Sequence, residues 1–214
     1  MIVSKAKPIE AVLTMLQGVQ KVGLVGCKSC ASACAVGGEK ECQAMQEALE
    51  AAGFEVVGTV LPDESCHKML LRRELKPLVA AGAEALVSLA CGSGCQTVAD
   101  NVKIPVYPAN DTLFVGQTER VGIFHEMCRT CGDCVLGETG GICPMTKCAK
   151  SLVNGPCGGQ KNGKCEVDPT NDCAWILIYQ RLEALGQLHK MEKTLEDHSP
   201  RSYPQSVNVR EAKK

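Results

Sequence analysis

Between Cys128 and Cys173 the chain places eight cysteines among many glycines and few large apolar side chains. Such a segment cannot bury enough apolar surface to fold by hydrophobic packing alone, so covalent or metal cross-links must hold it. The compartment decides between the two. The opening stretch MIVSKAKPIEAVLTMLQG is too short in apolar residues and too interrupted by charge for a secretory signal, which leads us to expect a cytoplasmic protein. Structural disulfides are rare there, and clustered thiols are instead metal ligands or redox centres. The total of 15 cysteines is odd, so they cannot all pair within one chain.

With 45% hydrophobic and 22% charged residues, the 214-residue chain is rich enough for a packed core, and disorder is excluded for most of it. Its 23 basic and 24 acidic residues give no electrostatic case for nucleic acid or an anionic membrane as partner. No apolar run reaches the roughly 18 residues a membrane span needs.

Four segments are expected. Residues 1–20 read as an amphipathic N-terminal helix, with Pro8 near its start and Ile9, Val12, Leu13, Leu16 and Val19 at helical spacing. Residues 21–117 alternate short apolar runs with helical patterns, and Gly53 and Gly82 stand where helix C-caps belong. This predicts an α/β fold: a small Rossmann-like domain with a parallel sheet between helical layers. Residues 118–192 form a cysteine-rich, metal-stapled domain closed by a C-terminal helix from residue 173, with Trp175, Ile176, Tyr179, Leu182 and Leu185 on one face and Leu188 extending it. Residues 193–214 read as an extended tail.

The strand order makes the first group of thiols meaningful. Cys27, Cys30 and Cys34 follow the first strand of the parallel domain, Cys66 follows the second, and Cys91 ends the third. Carboxyl ends of parallel strands share one edge of the sheet, where such folds bind ligands, so these five cysteines should meet on one rim. Three closely spaced thiolates plus a distant one suit a [4Fe-4S] cluster; Cys27, Cys30 and Cys34 are the expected ligands, with Cys66 or Cys91 as the fourth. Cys42 and Cys95 lie within helical patterns and read as small buried hydrophobes. His67 reads as a helix-start residue. Gly37 and Gly38 lack the rest of a phosphate-loop motif, which argues against a nucleotide.

The second group is denser. Cys128, Cys131 and Cys134 form a CxxCxxC run, and Cys143 precedes Pro144, as in ferredoxin-type binding but with a longer gap. Cys148, Cys157, Cys165 and Cys173 follow. Eight thiolates supply two tetrathiolate sites, either iron-sulfur or zinc; the spacing does not say which four belong together. His125 is an outside candidate ligand.

From residue 140 the phrase GGICPMTKCAKSLVNGPCGGQKNGKCEVDPTNDCAWILIYQRL resembles the C-terminal domain associated with methylenetetrahydrofolate reductases. GCKSCASACAVGGEKE, SLACGSGCQ and PANDTLFVG resemble the rest of the cysteine-rich small subunit of the acetogenic and related anaerobic enzymes, extending the likeness over about residues 21–190. The resemblance implies a subunit that is itself non-catalytic and works beside a separate TIM-barrel flavoprotein. That partner reduces methylene-tetrahydrofolate to methyl-tetrahydrofolate in one-carbon metabolism. It also implies two or three [4Fe-4S] clusters, with zinc at one site as the variant, flavin only in the partner, and a ferredoxin or heterodisulfide-reductase-like module as electron donor. The other expectation is a zinc-binding subunit that only scaffolds the complex.

Overall fold

The structure, a computed structural model, describes residues 1–196 and Ser206. In chain order the first compact unit contains β1 (Ile2–Ala6), α1 (Ile9–Met15), β2 (Lys21–Val25), α2 (Cys30–Ala33), α3 (Glu39–Ala51) and β3 (Glu55–Val60). It continues through α4 (Lys68–Glu74), α5 (Lys76–Ala80), β4 (Ala85–Ser88), α6 (Gly92–Asn101), β5 (Val106–Pro108), β6 (Asn110–Arg120) and all but the last two residues of β7 (Ile123–Cys128). The second unit begins at Met127 and carries α7 (Pro144–Lys147), α8 (Ala174–Ala184) and a 3-10 helix at Leu188–Glu192.

The expected parallel sheet is present, with four strands in the order β3-β2-β4-β5. Its strands read as apolar runs because both faces are covered. Val22 and Leu24 of β2, with Ala85 and Val87 of β4, join Val12 and Leu16 around α1 and Leu49 of α3 in one buried cluster. Val25 and Leu86 take the opposite parity and meet Leu71, Leu75 and Leu78 around α4 and α5, with Val98 of α6. Burial of each such side chain contributes about 1.5–3 kcal/mol. The helix ends were legible. Gly53 (φ +94°) and Gly82 (φ +82°) follow α3 and α5 in left-handed geometry. The Phe54 and Ala83 amides return to the Leu49 and Leu78 carbonyls, closing Schellman motifs.

The N-terminal expectation needs correction. Residues 2–6 form a strand, and the helix is confined to Ile9–Met15. Pro8 has no amide hydrogen and an extended ψ of 141°, so it starts the helix and separates it from what precedes. β1 pairs antiparallel with β6, bringing buried Val3 opposite Phe114. β6 also pairs with β7, so the order of this second sheet is β1-β6-β7. The change of pattern near residue 117 falls inside β6, most of whose residues are exposed, and the compact units divide between Glu126 and Met127.

In the second unit Trp175, Ile178 and Leu182 of α8 form a small core with Ile142, Leu188 and Met191 around it. The buried stripe differs from the expected one: Ile178 is fully buried, whereas Tyr179 and Leu185 are 42% and 45% exposed. Both stripes share Trp175 and Leu182, and the choice between neighbours is made by what α8 packs against. The helix stops at Ala184, before Gly186 (φ +65°). Of the expected tail, residues 197–205 and 207–214 lie outside the described residues. Among the described residues no helix is long and apolar enough to cross a membrane.

Candidate metal centres

β3 and β4 lie on opposite sides of β2, so the connections leaving the sheet diverge between β2 and β4. A crevice opens at the carboxyl edge of such a switch point. Cys27, Cys66 and Cys91 follow β2, β3 and β4 at this edge. The environment of Cys66 reflects that convergence. Loss of hydration pushes its thiol pKa up first, and nearby Cys91, Glu64 and Cys27 push it further. Cys27 and Cys91 are buried, and Cys66 is exposed.

Polar clamps hold these loops together. The Ser65 hydroxyl donates to the Gly26 carbonyl at 2.6 Å, fixing the Cys66 loop beside the Cys27 loop. The Asn110 side-chain amide donates to the carbonyls of Val36 and Leu89 at 3.2 and 2.5 Å, joining the loop after Cys34 to the one before Cys91. The Gly92 amide donates to the Thr112 hydroxyl at 2.7 Å. Cys30 and Cys34 are both fixed to Ile2: its amide donates to the Cys30 sulfur at 3.4 Å, and the Cys34 thiol donates to its carbonyl at 3.8 Å.

The remaining residues of this unit behave as packing or capping groups. Cys42 is buried against the Gly37 carbonyl, and burial raises its pKa to about 11. Burial likewise raises that of Cys95. His67 caps α4, its Nδ1 accepting from the Leu70 amide. His125 pairs with Glu119 at 2.6 Å. Gly37 has a backbone role: a Cβ there would stand 2.0 Å from the Leu89 carbonyl oxygen. It lets the loop after Cys34 lie against the end of β4.

In the second unit the eight cysteines separate into two fours. Cys128, Cys131, Cys134 and Cys143 line one cavity of about 340 Å³, with Met127, Val135, Leu136 and Met145 supplying apolar wall. Thr130 (φ +52°) and Gly132 (φ +92°) adopt left-handed backbone between the thiols. The Thr130 amide donates to the Cys128 sulfur at 3.3 Å. Cys148, Cys157, Cys165 and Cys173 line a second cavity of only about 20 Å³, together with Trp175, Lys150 and Glu166.

The second four sits in a more constrained frame. Isolated bridges join Lys161 to Lys164 and Lys164 to Asp172. The Cys165 amide donates to the Asn171 carbonyl, and the Cys173 amide to the Gly163 carbonyl. The Trp175 indole donates to the Leu152 carbonyl at 2.9 Å. Lys150 pairs with Glu166, whose carboxylate also accepts from the Cys157 thiol at 3.4 Å. The Lys150 ammonium, and then the Cys157 thiol, hold the Glu166 carboxyl below its ordinary pKa.

Among the described residues no three cysteine, histidine or acidic side chains converge as ligands of a metal ion. The thiols line cavity walls and do not close on a point. As a donor set each four is all sulfur with no histidine, which matches tetrathiolate zinc or an iron-sulfur cluster. Ser65, Asn110, Thr112, Lys150 and Glu166 carried no spacing signal that would have marked them in the sequence; each contributes through long-range contacts.

Residues 107–200 match the family model described as methylene-tetrahydrofolate reductase C terminal. The match covers less than half of the chain and bears out the resemblance seen from residue 140 onward. No curated protein matches the chain. A solved structure of a substrate-binding periplasmic protein from Ralstonia solanacearum shares 16% identity, with 47% of this chain and 27% of that one covered and a TM-score of 0.32. A likeness at that level carries no argument about fold or function.

Proposed function

We propose that the chain is the iron-sulfur, electron-transfer subunit of a methylene-tetrahydrofolate reductase complex, itself non-catalytic and working beside a separate flavin-bearing TIM-barrel subunit. The family match over residues 107–200 supports the association with that reductase. The observation that carries the redox role is the ring of Cys128, Cys131, Cys134 and Cys143 around one cavity of about 340 Å³. These four residues are the ligands of a [4Fe-4S] cluster in this reading, and Cys27, Cys30 and Cys34 with Cys66 or Cys91 are those of another. Such a cluster supplies one-electron chemistry when bound, at a potential tuned by burial and hydrogen bonds to sulfur.

The chain's own residues supply the tuning. The Thr130 amide already points at the Cys128 sulfur, and the Ile2 amide at the Cys30 sulfur. A hydrogen bond to sulfur stabilises the more negative state and raises the potential. Met127, Val135, Leu136 and Met145 keep part of the first cavity apolar. The chain is poor in the aromatic residues a flavin ring stacks on, at 3% of its length, which supports assigning the flavin to the partner. The donor in this reading is a ferredoxin or a heterodisulfide-reductase-like module.

The test is flavin reduction in the reconstituted two-subunit complex, supplied with reduced ferredoxin under oxygen-free conditions. Cys131→Ala should abolish flavin reduction while the complex still assembles on a sizing column. Unchanged flavin reduction in that variant would overturn the redox role and leave the scaffold reading.

A further inference from the structure

Among the described residues three buried side-chain atoms find no hydrogen-bond partner, and two of them, Ser4 Oγ and Asn110 Oδ1, stand on one face of the β1–β6 pair. Ser4 lies opposite Thr112 and Ala6 opposite Asn110, and directly opposed residues of an antiparallel pair project to the same side. That side covers the thiol-bearing rim. Thr112 accepts from the Gly92 amide, and Asn110 donates to the Val36 and Leu89 carbonyls, so the face rests on backbone flanking Cys34 and Cys91. Ile2, on the same strand as Ser4, holds the sulfurs of Cys30 and Cys34 through its backbone.

We propose that the Ser4 hydroxyl donates a hydrogen bond to a sulfur of the group held by Cys27, Cys30 and Cys34 with Cys66 or Cys91, and so raises its reduction potential. This rests on the cluster reading above and adds a residue which that reading does not use. Ser4 is 5% exposed, and a position so buried favours an apolar side chain, because a hydroxyl without a partner is costly to bury. A hydroxyl there therefore calls for an acceptor. The two partnerless atoms do not bond each other.

The chemistry selects Ser4 over its neighbour. The Asn110 amide nitrogen is committed to the Val36 and Leu89 carbonyls, and its remaining oxygen can only accept. A serine hydroxyl can donate, and thiolate or sulfide sulfur accepts without a hydrogen of its own. With the Ile2 amide on the Cys30 sulfur, β1 then brings one backbone donor and one side-chain donor to this rim. A hydrogen bond to sulfur favours the more negative, reduced state. Removing the hydroxyl has opposite signatures in the two forms of the chain. Without metal it deletes an unpaired polar atom, which leaves stability equal or higher; with the cluster bound it takes away a donor and makes reduction harder.

The test is a redox titration of the full-length chain purified without oxygen, followed by electron paramagnetic resonance, as wild type, Ser4→Ala, Ser4→Thr and Cys30→Ala. The component lost in Cys30→Ala identifies the cluster of the first unit. In Ser4→Ala that component should move to more negative potential, by about tenfold in the reduction equilibrium or about 59 mV for one electron. Ser4→Thr, which keeps the hydroxyl, should titrate with the wild type. The same potential in Ser4→Ala as in the wild type would overturn the proposal and leave the hydroxyl to an enclosed water. An equal shift in Ser4→Thr would place the effect in packing and overturn it as well. Denaturant unfolding of metal-free Ser4→Ala should show a midpoint no lower than that of the wild type. A lower midpoint would mean that the hydroxyl serves a protein acceptor instead. If no component depends on Cys30, the cluster assignment for this rim fails, and the role of Ser4 fails with it.

Discussion

The hydroxyl of buried Ser65 donates a 2.6 Å hydrogen bond to the carbonyl of Gly26, across 39 residues of sequence. Gly26 directly precedes Cys27 and Ser65 directly precedes Cys66, so one bond sets the approach of two thiol-bearing loops. Ser65→Ala removes the donor and leaves a buried carbonyl short of a partner, which costs about 1–3 kcal/mol. Denaturant unfolding should show a lower midpoint with an unchanged slope. An unchanged midpoint would mean that the loops are held elsewhere.

Gly37→Ala should be more damaging. The added methyl would stand 2.0 Å from the Leu89 carbonyl oxygen and 2.8 Å from the Ala31 Cβ, so backbone on both sides must move. The expected loss is about 3 kcal/mol. Gly137→Ala, whose added methyl meets nothing within 4 Å, serves as the control and should be close to neutral. Equal midpoints for the two variants would refute the close-approach role of Gly37.

Much of the first unit was legible in the sequence, and the reasons are physical. The apolar runs at Val22–Val25 and Ala85–Ser88, with Gly53 and Gly82 at helix ends, mark buried parallel strands and their connecting helices through local signals. β1 was not legible: Ile2–Ala6 is short, and its partner β6 lies more than a hundred residues away. The face of α8 was half legible, because Ile178 and Tyr179 are neighbours and only tertiary packing chooses between them. The thiols themselves were conspicuous, but their division into two fours was not. Spacing constrains how far a loop can reach and not where it turns; the left-handed residues Thr130, Ser151 and Asn162 help to set those turns.

Cys42 gives a pH-dependent prediction. Its thiol pKa is raised from 9.0 to about 11, chiefly by burial, so the folded state holds this proton more tightly than the unfolded state. The stabilisation is complete below about pH 9 and is lost as pH rises through about 11, a fall of up to about 2 kcal/mol. Unfolding measured from pH 8 to 11 should show this decline, and Cys42→Ala should show less of it. Identical alkaline profiles for the two proteins would contradict the assignment.

Ile178→Ala should be strongly destabilising. Ile178 is fully buried in a core with few other large side chains, so the cavity it leaves costs about 2–5 kcal/mol. Leu185→Ala, at a position 45% exposed, should cost under about 1 kcal/mol. Thermal unfolding of the two variants checks the order, and a reversal would place the buried stripe on the other face of the helix.

The proposed redox role depends on a reducible cluster in the cavity lined by Cys128, Cys131, Cys134 and Cys143. Iron and acid-labile sulfide analysis of oxygen-free protein, with electron paramagnetic resonance before and after chemical reduction, tests it most directly. The expected result is a brown protein with iron and sulfide in equal amounts, and a reduced-state signal of which one component disappears in Cys131→Ala. A colourless protein that contains zinc alone, before and after reconstitution with iron and sulfide, would contradict it.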